Sequence, residues 1–116
     1  MGLDQCAYIR KNKEEVDVKF VWRKHAKLQK FMEDLWYSKN KEDFNLNQLK
    51  LTEKIVTSLK LLITHKKMED SEGGFFYGHQ WQDEAEDYYK KQDLKFCKWA
   101  IKNIKKGKSL YYQCWY

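Results

Sequence analysis

Residues 109–116 read SLYYQCWY, and the direction in which those eight side chains leave the backbone decides the fold. An aromatic residue or Cys stands at every second position or denser, a pattern that suits a strand and no helical stripe. In a strand, alternate residues leave on opposite sides. Tyr111, Gln113 and Trp115 then share one face, and Leu110, Tyr112, Cys114 and Tyr116 share the other. Both faces are apolar or aromatic, and a single helix layer covers only one of them. One face is therefore expected as core and the other as contact surface, the environment in which Tyr and Trp are enriched.

The rest of the chain supplies that helix layer. Residues 83–106 read as a helix with acidic DEAED at its start and basic KNIKK at its end, each matching the macrodipole. Leu94, Cys97, Ala100, Ile101 and Ile104 form its core stripe, and Gly107 stops it. Asp93 is an alternative N-cap, which would make 84–91 a separate turn. A second amphipathic helix is predicted over 24–39, with Leu28, Phe31, Met32, Leu35 and Trp36 inward and Asn40 at its end. A third runs over 52–67 behind the N-cap Thr52, carrying Ile55, Val56, Leu59, Leu62 and Ile63. Val16, Val18, Phe20 and Trp22 alternate as a half-buried strand, although Val21 spoils its outer face. FNLNQLKL at 44–51 reads as a short strand with a bulge, and either strand is a partner for the terminal one. The expected fold class is α+β, about three helices on a small antiparallel sheet. It forms a single domain over 1–116, with 1–15 as a loosely ordered N-terminal arm.

At 116 residues there is length for one core. No run approaches the roughly 20 apolar residues that span a bilayer. Asp4 and Gln5 stand where a signal peptide is apolar, and Cys6 stands where a myristoylation motif needs Ser or Thr. An intracellular protein without membrane contact is expected. Cys6, Cys97 and Cys114 make an odd number with no CxxC pair, so reduced, buried thiols are expected. The net charge is +6, and only two of the 23 basic residues are arginines. Lysine is a hydrated point charge, so this balance suits diffuse attraction to anions rather than reading of base edges.

Three clusters are candidate ligand contacts. Trp22, Arg23, Lys24 and His25 place cations at a helix N-terminus, where free amides attract phosphate. The plainer reading is a basic first turn with Trp22 buried, although cations there oppose the dipole. GGFFYG at 73–78 offers Phe75, Phe76 and Tyr77, with Trp81 beyond, as stacking groups; alternatively Phe75 and Phe76 enter the core. No GK[ST] follows, so this is no phosphate loop. Tyr111 and Trp115 are the third pair, on the outer strand face. His25, His65 and His79 have no second His at i+3 or i+4, and neither a metal nor a cofactor is expected.

WRKHAKLQKFMEDLW at 22–36, FNLNQLKLT at 44–52, GGFFYG, and DLKFCKWAIKNIKKGKSLYYQCWY resemble, in that order, a family of small bacteriophage proteins of unassigned activity. The resemblance covers 22–116. It departs at Gln113 and Cys114, where the family carries acidic residues, and in a longer, more acidic stretch before GGFFYG. It implies viral origin and one fold, not a chemistry. The expected function is that of a non-enzymatic phage accessory protein, for host takeover or against host defence. It would act in the cytoplasm of the infected cell by binding and inhibiting or sequestering a host protein or a small anionic nucleotide. A homo-oligomer interface is a further use of the aromatics. One alternative is nonspecific single-stranded nucleic-acid binding. A small enzyme is another, which would need His25 or His79 hydrogen-bonded to Cys114 or a carboxylate inside a cleft.

Overall fold

The structure, a computed structural model, describes residues 2–71 and 81–116. Strands β1 (Asp4–Arg10) and β2 (Val16–Arg23) lead into helix α1 (Ala26–Lys39). Strand β3 (Gln48–Leu51), helices α2 (Glu53–Thr64) and α3 (Gln82–Lys105), and strand β4 (Ser109–Trp115) follow. The four strands form one sheet in the order β2-β1-β4-β3, and every neighbouring pair is antiparallel. Three helices pack with this sheet, so the architecture is α+β. Among the described residues, no helix is long and apolar enough to cross a membrane.

The N-terminal segment corrects one expectation. Instead of a loose arm, residues 4–10 form a central strand between β2 and β4. Cys6, Ala7, Tyr8 and Ile9 make a continuous apolar run, the pattern of a strand covered on both sides. The terminal strand therefore pairs with β1 as well as β3, and 16–22 meets it only through β1.

A bulge corrects a second. Ala7 pairs with Phe20 but Tyr8 pairs with Val18, so Lys19 is the extra residue in β2. One inserted residue flips everything before it to the other face. Phe20 and Trp22 face the core while Val16 and Val18, 42% and 48% exposed, join Val21 on the outer face. The period-two run was one face in sequence and is two faces in space.

Within 44–51, only the last four residues are strand. Leu46 takes a left-handed backbone (φ 69°), and Asp43 accepts from Asn45 N while its carbonyl accepts from Asn47 Nδ2. Such Asx contacts compete with a ladder and favour a turn. Phe44 is buried from this turn, stacked on Trp36 at 5.1 Å. Thr52 caps α2, accepting from Ile55 N at 3.2 Å, and Asn40 ends α1. Helix α3 is continuous through Asp93, so the alternative break there does not occur. It ends in a Schellman turn: Lys108 N reaches Asn103 O, Gly107 N reaches Ile104 O, and Gly107 sits at φ 86°.

All three cysteines are free and buried. Burial pushes the thiols of Cys97 and Cys114 up to about 12, for Cys97 with help from the Asp93 charge. A thiol whose folded pKa is raised adds stability below its unfolded value and loses it as pH climbs towards the folded one. Unfolding free energy is thus expected to fall between pH 9.0 and about 12. Replacing both residues by Ala should flatten that slope in urea titrations. At neutral pH a thiol reagent should label neither in the native protein.

Candidate functional site: a basic and aromatic cleft

Strand β2 is an edge, and α3 covers part of it. Tyr89 Oη accepts from Arg23 N at 2.9 Å and donates to Arg23 O at 3.3 Å. Gln92 Nε2 donates to Val21 O at 2.7 Å. These bonds satisfy backbone groups that an edge strand leaves open. They also draw the N-terminal half of α3 against the turn into α1. That turn requires Lys24 at φ 58° and is held by Lys24 N donating to Leu3 O.

Between the turn and α3 lies an open cleft of about 490 Å³, lined by Arg23, Lys24, Trp81, Glu84, Ala85, Tyr88 and Tyr89. Trp81 is 64% exposed and Tyr88 80% exposed, so both rings face solvent rather than core. Tyr88 meets Tyr89 edge-on, with centroids 4.9 Å apart. Arg23 and Lys24 make no ion pair with any described residue.

Glu84 is the one carboxylate among the residues that line the cleft, and three neighbouring acids are engaged by Lys27. Lys27 Nζ lies 3.0 Å from Glu86 Oε1, 3.0 Å from Asp83 Oδ1 and 3.2 Å from Asp70 Oδ1. Burial would lower the Lys27 pKa, but hydrogen bonds to Glu86, Asp83 and Asp70 outweigh it and hold it above the ordinary ammonium range. Ser71 N donates to Gln82 Oε1, and Gln82 Nε2 donates back to Ser71 O. Thus the chain on either side of 72–80 is tied to α1 and α3.

Beneath the cleft runs a buried polar chain. Tyr89 stacks on His25, with centroids 5.1 Å apart and planes 16° apart. His25 Nε2 is 2.7 Å from Asp93 Oδ2, and Trp22 Nε1 donates to Asp93 Oδ1 at 2.7 Å. His25 N donates to Gln5 Oε1, Gln5 Nε2 donates to Tyr112 Oη, and Tyr112 donates to Gln29 Oε1. Gln29 Nε2 continues to Cys114 Sγ at 3.2 Å. His25 and Asp93 are both 0% exposed and line none of the clefts described for the molecule. A histidine does meet a carboxylate here, then, but beneath the cleft and out of reach of solvent.

No family model, no curated protein and no solved structure matches this chain.

The expected ligand residues divide into four groups. Arg23, Lys24 and Trp81 come together in the cleft. Trp22 and His25 lie under it in the core, because strand alternation puts Trp22 on the core face with Phe20 and α1 begins one residue after His25. Tyr111 and Trp115 lie on the outer sheet face, where Tyr111 stacks on Tyr8 and Arg10 lies 5.6 Å from its ring. Phe75, Phe76 and Tyr77 fall outside the described residues. Tyr88 and Tyr89 were missed, though they had a signal: Tyr88 lies off the apolar stripe of α3, in a stretch otherwise charged. Among the described residues, no three His, Cys, Asp or Glu side chains are placed to hold a metal.

Proposed function

We propose that this is a non-enzymatic binding protein whose cleft holds a small anion carrying an aromatic ring, a nucleotide being the fitting class. The carrying observation is that Arg23 and Lys24, which pair with no described residue, share an open cleft of about 490 Å³ with exposed Trp81 and Tyr88 and with one carboxylate, Glu84. Rings stack bases whatever their identity, and cations take the phosphate. The resemblance to a small phage family supplies the setting: a host-takeover or anti-defence protein that sequesters its ligand in the infected cell.

A ligand at a hundred times its dissociation constant should stabilise the fold by about 2.7 kcal/mol, several degrees of melting temperature. Mononucleotides are expected to produce such a shift and to retain much of it at high salt. Tyr88→Ala, at an exposed position, should weaken binding by about 1–3 kcal/mol while leaving the unliganded melting temperature close to its original value. If no nucleotide shifts the melt, this reading fails.

A second reading rests on the outer sheet face. Val16, Val18, Val21 and Trp115 are each at least 42% exposed there, near Tyr111. Exposed apolar side chains gathered on one sheet face suit a protein partner. Capture of one host protein, lost in Val18→Lys/Val21→Lys, would favour that reading.

A further inference from the structure

We infer that the ligand spans two subsites, so that it carries two nucleoside units joined through phosphate; this rests on the nucleotide reading above. The cleft does not end at Tyr88. A second open groove of about 550 Å³ lies along the β2 edge, and Tyr88 and Tyr89 line both. Its cations are Lys19, Lys91 and Lys95, and no carboxylate lines it. Lys19 is paired with Asp17, whereas Lys91 and Lys95 make no ion pair with a described residue.

Helical spacing makes the two grooves one track. Tyr88, Lys91 and Lys95 stand at i, i+3 and i+7 of α3, hence on one face. Arg23 and Lys24 lie at one end, the two lysines at the other, and the Tyr88 ring between them with 80% of its surface free. From Glu84 to Lys95 the helix rises roughly 16 Å, at about 1.5 Å per residue. That is several times the rise of about 3.4 Å between successive bases of a strand. A mononucleotide fills one end of such a track; two linked units set a phosphate against each cation pair and a base on either side of Tyr88. The same chemistry belongs to a cyclic or linear dinucleotide and to a stretch of single strand.

Isothermal titration tests this with AMP, linear pApA, cyclic di-AMP and a single-stranded dA10. In the unaltered protein a dinucleotide should bind roughly tenfold or more tighter than AMP, the worth of one further stack. Lys91→Glu/Lys95→Glu should bring that ratio close to one, as should the milder Lys91→Gln/Lys95→Gln. The control Lys102→Glu, also exposed on α3 but outside both grooves, should keep the ratio. A preference for cyclic di-AMP that survives salt would identify a small signal as the source. Tighter, steeply salt-dependent binding of dA10 would identify a single strand. Equal affinity for AMP and every dinucleotide, unaffected by the lysine changes, would overturn the two-subsite inference and leave the nucleotide reading standing. Binding of none of the four would overturn both.

Discussion

Asp93→Ala is expected to unfold at a much lower urea concentration than the unaltered protein, losing about 3–5 kcal/mol. The carboxylate is 0% exposed and takes the Trp22 indole N–H on one oxygen and His25 Nε2 on the other, both at 2.7 Å. Removing it leaves two buried nitrogens without a partner and opens a void at the joint of β2, α1 and α3. Against a typical total of about 5–15 kcal/mol for a domain, that loss is large. Asp93→Asn should fall between, at about 1–3 kcal/mol. Its amide oxygen still serves Trp22, but its NH₂ then meets His25 Nε2, which accepts only if the ring proton moves to Nδ1. Nδ1 is buried and has no hydrogen-bond partner among the described residues, so an N–H there would be left unsatisfied. An unfolding midpoint for Asp93→Ala equal to the original would show that the pair contributes nothing to the fold.

Phe96→Ala should cost a similar amount, about 3–5 kcal/mol, through a different cause. Phe96 is 0% exposed and meets Trp22 edge-on at 5.1 Å and Phe20 at 5.6 Å. Truncation removes the ring's burial and leaves a cavity that two large aromatics cannot both collapse into. Phe96→Leu, which keeps most of the apolar bulk, should recover much of the loss. Asp93 and Phe96 stand three residues apart on α3 and share Trp22, so the double variant should not be additive. A coupling of about 0.5–3 kcal/mol is expected from urea titrations of the cycle. Strict additivity would mean that the Trp22 position does not depend on both.

These two residues mark where the sequence could be read and where it could not. Phe96 was missing from the expected stripe of Leu94, Cys97, Ala100, Ile101 and Ile104, yet 96 and 97 are both fully buried. The stripe of α3 is rotated towards β2 because the helix must also close the strand's edge through Tyr89 and Gln92. Asp93 offered an alternative helix start because Asp is a good N-cap. A buried partner on another element outweighed that local preference, and nothing near position 93 names Trp22 or His25.

For the cleft, the sequence offered Arg23, Lys24 and Trp81 but attached His25 to them by adjacency. Adjacent residues on a chain that passes from strand to helix do not share an environment. Here Arg23 and Lys24 stay in solvent while His25 drops under Tyr89. For the terminal strand, alternation sorted the side chains into two faces correctly, and the structure makes the Leu110, Tyr112 and Cys114 face the core.

By itself the sequence determined the α+β class, the three helices with their caps at Thr52 and Asn40, the buried thiols and the two faces of SLYYQCWY. Each of those follows from spacing along the chain or from one residue's own conformational preference. Only the tertiary structure decided that residues 4–10 are a central strand, that the Lys19 bulge turns Val16 and Val18 outward, and that the Arg23 and Lys24 end of β2 meets Tyr88. Those depend on which strand lies beside which, and on side chains 66 and 71 residues apart bonding across an edge. Pairing of that range leaves no mark in local periodicity.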